Sequence, residues 1–283
     1  MGAHMRTVGS RRLAIELKHF RDQSGLTGEQ VAEQMGWSVA KVYRIEGDKV
    51  RVLVRDVQRL LRLYGVSGAQ HDAVVELAKL ARVKDWWQQY GGVIPEWFQF
   101  YVGLEAAASA RRGYESELVP GLMQTEGYAR AIMSTAPAPD TDEVERQITV
   151  RMERQKRLTA PAPLTVWVVL NEAVIRRVVG GPQVMREQLV HLAELSTLKN
   201  MTVQVLPYAA GAHPAMHGSF AIMEFPEPVD PDVVYLEAQT GALYLERTED
   251  VRRYSLMFDY LRAQALGPDA SRDLIVQLAR EGP

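Results

Sequence analysis

Apolar residues recur every three or four positions through the first 80 residues, which predicts a series of short amphipathic helices. Gly residues and good N-cap residues separate the apolar groups, as expected at helix ends. We predict five helices, whose apolar positions fall within 13–20, 31–35, 42–45, 53–64 and 74–80. The first part of the chain is therefore predicted to be a small all-α domain.

The pattern changes in the second half of the chain. Continuous apolar stretches at 164–170 and 202–206 predict buried strands, and the amphipathic stretch 182–198 between them predicts a helix. A strand, a helix and a strand within about 40 residues favour a right-handed parallel crossover. Shorter apolar runs bring the total to about five strands in one mixed or α/β sheet, and two helices are predicted at 248–265 and 269–280. This part is predicted to be α+β.

These patterns divide the chain into four segments. Residues 1–9 are interpreted as an expression remnant and N-terminal arm, and 10–81 as the helical domain. Residues 82–112 are expected to connect the domains through an aromatic and Ala-rich helical segment, with a helix at 101–112. Residues 113–283 are predicted to form a regulatory and dimerisation domain. The fold class is therefore multidomain, all-α followed by α+β.

Composition excludes several classes of protein. The 283 residues include no Cys, which excludes disulfides, thiolate zinc sites and cysteine nucleophiles. No apolar stretch reaches the 18 residues or so that a transmembrane helix needs, so we expect no membrane partner. Both observations fit a cytoplasmic, nucleoid-associated protein.

Charge is distributed unevenly along the chain. Residues 6–62 contain 12 Lys or Arg and 7 Asp or Glu, whereas the whole chain carries a formal net charge of −2. The small helical domain is therefore basic and the rest of the chain is acidic. This asymmetry suggests a polyanionic partner for the helical domain alone.

Two short predicted helices joined by a Gly turn form a helix-turn-helix pattern. The segments that carry it are LTGEQVA (26–32), GWS (36–38) and KVYRIEG (41–47). They resemble the Xre/Cro-type, lambda-repressor-like DNA-binding domain. That resemblance implies five helices, of which the third enters the DNA major groove.

The resemblance and the outward face of the third helix give a set of candidate DNA contacts. Lys41 and Arg44 could reach phosphates or guanine edges, and Val39 and Ala40 could contact a thymine methyl group. Gly28 departs from the family, which often has a glutamine there that touches the DNA backbone. The full predicted set is Thr27, Ser38, Val39, Ala40, Lys41, Tyr43, Arg44, Lys49 and Arg51. The alternative for this domain is a five-helix module that binds a protein and not DNA.

The second half of the chain also resembles a known family. The segments ELVPGLMQTEGYAR (117–130), VLPYAAGAH (205–213) and GSF (218–220) resemble the domain that follows Xre heads in actinobacterial WhiJ-like, Scr1-type antitoxin-like regulators (DUF5753). The resemblance implies a transcriptional regulator that is often encoded beside a small antagonist protein. It implies no established ligand.

Residues that could support an enzyme or a ligand site are few. His213 and His217 faintly resemble the phospholipase D pattern, but the lysine two residues after the catalytic histidine is absent. Pro214 opposes a helix that would bring both histidines to a metal. We therefore expect no enzyme, no metal and no cofactor. Trp86, Trp87, His213 and His217 remain candidates for binding a ligand or partner.

We therefore interpret the chain as a sequence-specific regulator that binds double-stranded operator DNA as a homodimer and represses transcription. Its second domain would receive a signal from a small partner protein or a ligand. The alternative is an antitoxin-like adaptor that sequesters a protein partner and binds DNA secondarily.

Overall fold

A computed structural model of the protein describes residues 8–80, 94–135, 140–226 and 231–282. The chain divides into two compact units, with the division between residues 89 and 90. We call the first unit the head and the second the body. No helix in the described ranges combines the length and the apolar composition needed to cross a bilayer.

The head contains the five predicted helices. They are α1 (Val8–Ser24), α2 (Gly28–Met35), α3 (Val39–Glu46), α4 (Val54–Leu63) and α5 (Gly68–Leu80). Their apolar faces meet in one core that includes Leu17, Val31, Val42, Val57 and Leu61, all at most 2% exposed. This core fixes the direction in which α2 and α3 present their remaining residues.

The body is built on one six-stranded mixed sheet. Its strands are β1 (Ala110–Glu115), β2 (Thr165–Asn171), β3 (Met201–Leu206), β4 (Phe220–Glu224), β5 (Val233–Ala238) and β6 (Gly241–Leu245). Their order across the sheet is β3-β2-β1-β4-β5-β6. The β2–β3 pair is parallel, as predicted for the crossover. Strand β1 is also parallel to β2, and the other three pairs are antiparallel.

Seven helices among the described residues belong to the body. They are α6 (Glu96–Ala107), α7 (Glu126–Met133), α8 (Thr141–Gln155), α9 (Glu172–Arg176), α10 (Pro182–Leu195), α11 (Thr248–Gln264) and α12 (Pro268–Glu281). Phe258 and Leu261 of α11 pack on one sheet face, against Tyr114 of β1, Ile222 of β4 and Val234 of β5. Because side chains alternate along a strand, the neighbouring residues of β1, β4 and β5 project from the opposite face.

The predicted fold class, an all-α domain followed by an α+β domain, is confirmed. One strand was not predicted: the sheet has six strands and not about five, because β1 occupies residues assigned to a helix at 101–112. The helix α6 ends at Ala107, before β1 begins. The expected boundary between residues 112 and 113 falls inside β1, and α6 packs against β6, so residues 94–112 belong to the body. The rest of the expected connecting segment, 82–93, lies outside the described residues.

Candidate DNA-binding site

The two helices of the predicted helix-turn-helix motif begin at side-chain caps. At α2, the Gln30 amide donates to Thr27 Oγ1 at 3.3 Å, and the Thr27 amide donates to Gln30 Oε1 at 2.8 Å. This is a capping box, which satisfies two amides that a helix start otherwise leaves unpaired. At α3, the Lys41 amide donates to Ser38 Oγ at 3.3 Å. The caps fix where each helix begins, and they use the hydroxyls of two predicted DNA contacts, Thr27 and Ser38.

The turn between the two helices depends on Gly36. Its φ of 68° places it in the left-handed region, where residues with a Cβ are strained. The Trp37 amide donates to the Ala32 carbonyl at 2.8 Å, which closes the end of α2. The chain then turns directly into α3, so α2 and α3 are held in a fixed relation by backbone geometry and by their shared core.

The predicted DNA contacts on α3 differ in how exposed they are to solvent. Ala40, Tyr43 and Arg44 are exposed. Arg44 makes no hydrogen bond or ion pair with any described residue, so its guanidinium is available to a ligand. Val39 was assigned to the outward face, but it is half-buried and packs against the head core. Arg44 is therefore the one fully exposed charged side chain of this helix.

Lys41 is engaged within the head. Its Nζ lies 3.5 Å from the centre of the Trp37 ring and 3.8 Å from Asp56 Oδ2. A cation over an aromatic face and near a carboxylate is stabilised where it is. A DNA contact from Lys41 would have to replace the Asp56 interaction, so this side chain is less available than Arg44.

Gly28 leaves room for the Tyr43 ring. A Cβ built on Gly28 would lie 2.7 Å from both Cζ and the hydroxyl oxygen of Tyr43. Tyr43 is half exposed, and its hydroxyl also helps lower the pKa of the Glu29 carboxylate, after the larger effects of the Glu29 amide and the Thr27 side chain. The head therefore has a tyrosine hydroxyl beside the start of α2.

The one acidic residue of α3 is neutralised by a partner in α1. Arg21 donates to both carboxylate oxygens of Glu46, at 2.6 and 3.0 Å, and to the Leu26 carbonyl at 3.0 Å. The Glu46 carboxylate raises the pKa of Arg21. The Glu46 side chain is only 6% exposed, so it places little negative charge in front of DNA.

The remaining predicted DNA contacts lie after α3. Lys49 and Arg51 are exposed in the segment that joins α3 to α4. Asp48 between α3 and these two cations has a φ of 48°, which turns the chain sharply there. The structure places the predicted residues on two connected parts of the head, the α2–α3 motif and the segment after it.

Of the predicted ligand or partner candidates, His213 and His217 lie in the body. Trp86 and Trp87 lie outside the described residues. His213 Nε2 lies 3.3 Å from the Tyr114 hydroxyl, which accepts from Asn171 Nδ2 at 3.0 Å, and burial lowers the pKa of His213. His217 is exposed. Across the described ranges, no group of three or more His, Asp or Glu side chains could hold a metal ion.

Two structural features of the head were missed from the sequence. The capping box could have been recognised, because Thr27 and Gln30 have the required spacing of three. The Arg21–Glu46 pair joins residues 25 positions apart, and no local pattern marks it.

Comparison with known families agrees with both units. A helix-turn-helix domain model matches residues 12–74, within the head. A model described as a domain of unknown function (DUF5753) matches residues 98–277, within the body. No curated protein and no solved structure matches the chain. The predicted resemblance is confirmed to this extent, while its actinobacterial, WhiJ-like and Scr1-type details stay predictions. Since the second match covers more than half of the chain, the protein belongs to the DUF5753 family and carries a helix-turn-helix domain before that domain.

Proposed function

We propose that the protein is a transcriptional regulator whose head binds operator DNA through α3. The observation that carries the proposal is the exposed guanidinium of Arg44, which has no partner among the described residues and lies on the second helix of the helix-turn-helix motif. Arginine can donate two hydrogen bonds to a guanine edge, the commonest base-specific contact in the major groove. Exposed Lys49 and Arg51 would contact backbone phosphates, which position a protein on DNA without reading sequence.

We also propose that the protein acts as a homodimer and represses transcription. One recognition helix contacts too few base pairs for useful specificity, whereas two heads would read half-sites about 34 Å apart. The body would then hold two chains together and receive the signal, from a small antagonist protein encoded nearby or from a ligand. The cytoplasm is the compartment that such an activity requires.

We expect tight binding of the full chain to one segment of its own upstream region. Fluorescence anisotropy on DNA tiled across that region, at two salt concentrations, measures this directly. Each neutralised phosphate should add about 0.9 to the slope of log affinity against log salt. Adding the product of an adjacent small gene should release the DNA. Absence of binding to every tile would contradict the proposal and favour the adaptor alternative.

Replacing Arg44 with Ala should weaken operator binding by about 1–3 kcal/mol and relax the preference at one base pair. The physical reason is loss of a bidentate base contact with little effect on the head core, which Arg44 does not enter. Lys18→Ala is the matched control, because it removes an exposed charge from α1, outside the motif. Equal affinities for the operator in Arg44→Ala and the unmodified protein would remove Arg44 from the recognition site.

A further inference from the structure

The body contains an open cavity of about 490 Å³ on the sheet face opposite α11. It lies between β1, β4 and β5 on one side and α6 and α8 on the other. A second cavity of about 150 Å³ shares four of its lining residues, Phe98, Arg151, Arg154 and Glu237. The larger volume is in the range of small-molecule sites.

Two of the three arginines that line this cavity are paired with carboxylates. Arg154 of α8 donates to both oxygens of Glu105 in α6, at 2.7 and 2.8 Å. Arg111 of β1 donates to Glu115 Oε1 at 2.8 Å. These pairs are close to electrically neutral.

Arg151 is the third arginine, and it forms no ion pair with a carboxylate of a described residue, although Glu237 and Glu105 lie near enough to favour its charge. Its Nη1 donates to the neutral amide oxygen of Gln124. Its Nε is buried without a hydrogen-bond partner, and no carboxylate oxygen of a described residue lies within ion-pair distance. Burial, and then the neighbouring charge of Arg154, lower the pKa of Arg151 to about 10, although the charges of Glu237 and Glu105 oppose the shift. The guanidinium stays protonated at neutral pH, so the protein holds an enclosed positive charge beside the cavity.

Arg111 adds a second unsatisfied group to the same cavity. The residue is only 5% exposed, yet its Nη1 has no hydrogen-bond partner in the described part of the chain. Buried polar atoms without partners are costly, so each one in a native structure needs an explanation. Two such atoms on arginines that line one cavity point to an acceptor that binds there.

Aromatic side chains form another part of the cavity wall. Phe98 and Tyr101 are stacked with ring centres 5.1 Å apart, and the Tyr101 and Tyr235 rings are 4.3 Å apart. Such a surface favours a flat apolar group. Glu115 and exposed Glu237 also line the cavity, and their negative charges oppose a ligand with more than one negative charge.

We propose that this cavity binds a small aromatic carboxylate, with its carboxylate on Arg151 and Arg111 and its ring against Phe98, Tyr101 and Tyr235. Arg151 and Arg111 each have a buried nitrogen without a hydrogen-bond partner among the described residues, which a carboxylate would satisfy, and the aromatic side chains match the ring. The binding itself does not depend on what the head does. A role as the signal that changes operator affinity rests on the proposed DNA-binding function.

Thermal unfolding of the full chain tests the binding. The probes are phenylacetate, benzoate and cinnamate, each compared with its neutral amide of nearly the same shape. At about 100 times Kd, an acid that binds should raise the Tm of the body by about 5–10 °C, while its amide should not. The result that overturns the proposal is equal behaviour of acid and amide for all three pairs.

Variants of Arg151 test whether this residue causes the difference in stabilisation between an acid and its amide. Arg151→Met should abolish the difference between acid and amide, and Arg151→Lys, which keeps the charge, should retain part of it. Arg186→Met, at an exposed position of α10, is the matched control and should respond like the unmodified protein. Circular dichroism shows whether Arg151→Met is folded; if it is not, Arg151→Lys provides the comparison. An undiminished acid effect in both Arg151 variants would contradict the assignment.

A carboxylate at a protein C-terminus is the competing occupant. A peptide with a C-terminal phenylalanine, compared with its C-terminal amide, distinguishes it from a free acid. Stabilisation by the peptide alone would overturn the small-molecule proposal in favour of a protein partner. Because no DNA is present, failure of these tests leaves the anisotropy result for the head unaffected, and the two proposals can fail separately.

Discussion

Replacing Glu105 with Gln should lower the free energy of unfolding of the body by about 3–5 kcal/mol. Glu105 and Arg154 form a bidentate ion pair whose side chains are 3% and 5% exposed. Burial alone would lower the pKa of Arg154, but Glu105 beside it raises that pKa above its usual value. Gln keeps the shape of Glu and one acceptor, so the change mainly leaves Arg154 as a buried positive charge. Denaturant unfolding of the full chain, followed through the body transition, measures the loss.

Two comparisons show whether burial is the cause. Glu145 and Arg130 form a similar pair at 2.8 Å, but their side chains are 50% and 40% exposed. Glu145→Gln should therefore cost far less, because solvent screens an exposed pair. The double variant Glu105→Leu/Arg154→Met should be more stable than Glu105→Gln, because it removes the unpaired charge as well. If Glu105→Gln costs no more than Glu145→Gln, water must reach Arg154 through the cavity that it lines, and burial would not be what makes this pair costly to break.

The head could be predicted almost completely from the sequence. Its helices have periodic apolar residues, and its N-caps at Thr27 and Ser38 and its turn at Gly36 are local signals. The sequence could not show which of the predicted DNA-contacting side chains are free to bind and which are already engaged within the head. Lys41 is engaged because Trp37 and Asp56 happen to flank it, and the second of these comes from another helix.

The body was predicted correctly where its strands are continuously apolar, as in β2 and β3. The arginine-lined cavity could not be predicted, since Glu105 and Arg154 are 49 residues apart and come from different helices. In the sequence, Arg151 and Arg154 have an ordinary explanation as positive charges near the C-terminal end of a helix. Only the packing of α6 and α8 on the sheet shows that one of them is paired and the other is not.

Strand β1 was missed because its sequence, ARRGYE, has charged residues and a glycine where β-branched residues are usual. It forms a strand because both of its edges are paired, with β2 on one side and β4 on the other. Tertiary hydrogen bonding therefore outweighs local preference here. Gly113 is the residue that most opposes a strand in isolation, and in the sheet it is required.

Replacing Gly113 with Ala should destabilise the body by about 3 kcal/mol or more, the upper part of the range for overpacking a core. A Cβ at this position would lie 2.6 Å from the Phe220 carbonyl oxygen and 3.3 Å from the Ala221 Cα in β4. Both are backbone atoms of a paired strand, so neither can move without disturbing the sheet. In an unobstructed strand the same change would stabilise, by about 0.5–1 kcal/mol, because Ala loses less conformational entropy than Gly.

Gly241 in β6 supplies that unobstructed case, since a Cβ there would meet no atom within 4 Å. Gly241→Ala should leave stability unchanged or raise it slightly, and comparing the two variants by denaturant unfolding separates steric conflict from entropy.

A Cβ on Gly113 would also lie 3.5 Å from Nη1 of Arg111, the unpaired nitrogen beside the cavity. Where Gly113→Ala remains folded, it should therefore also weaken the response to aromatic acids. A stable Gly113→Ala variant with an unchanged response would mean that β1 and β4 are farther apart than described and that Arg111 does not depend on their close approach.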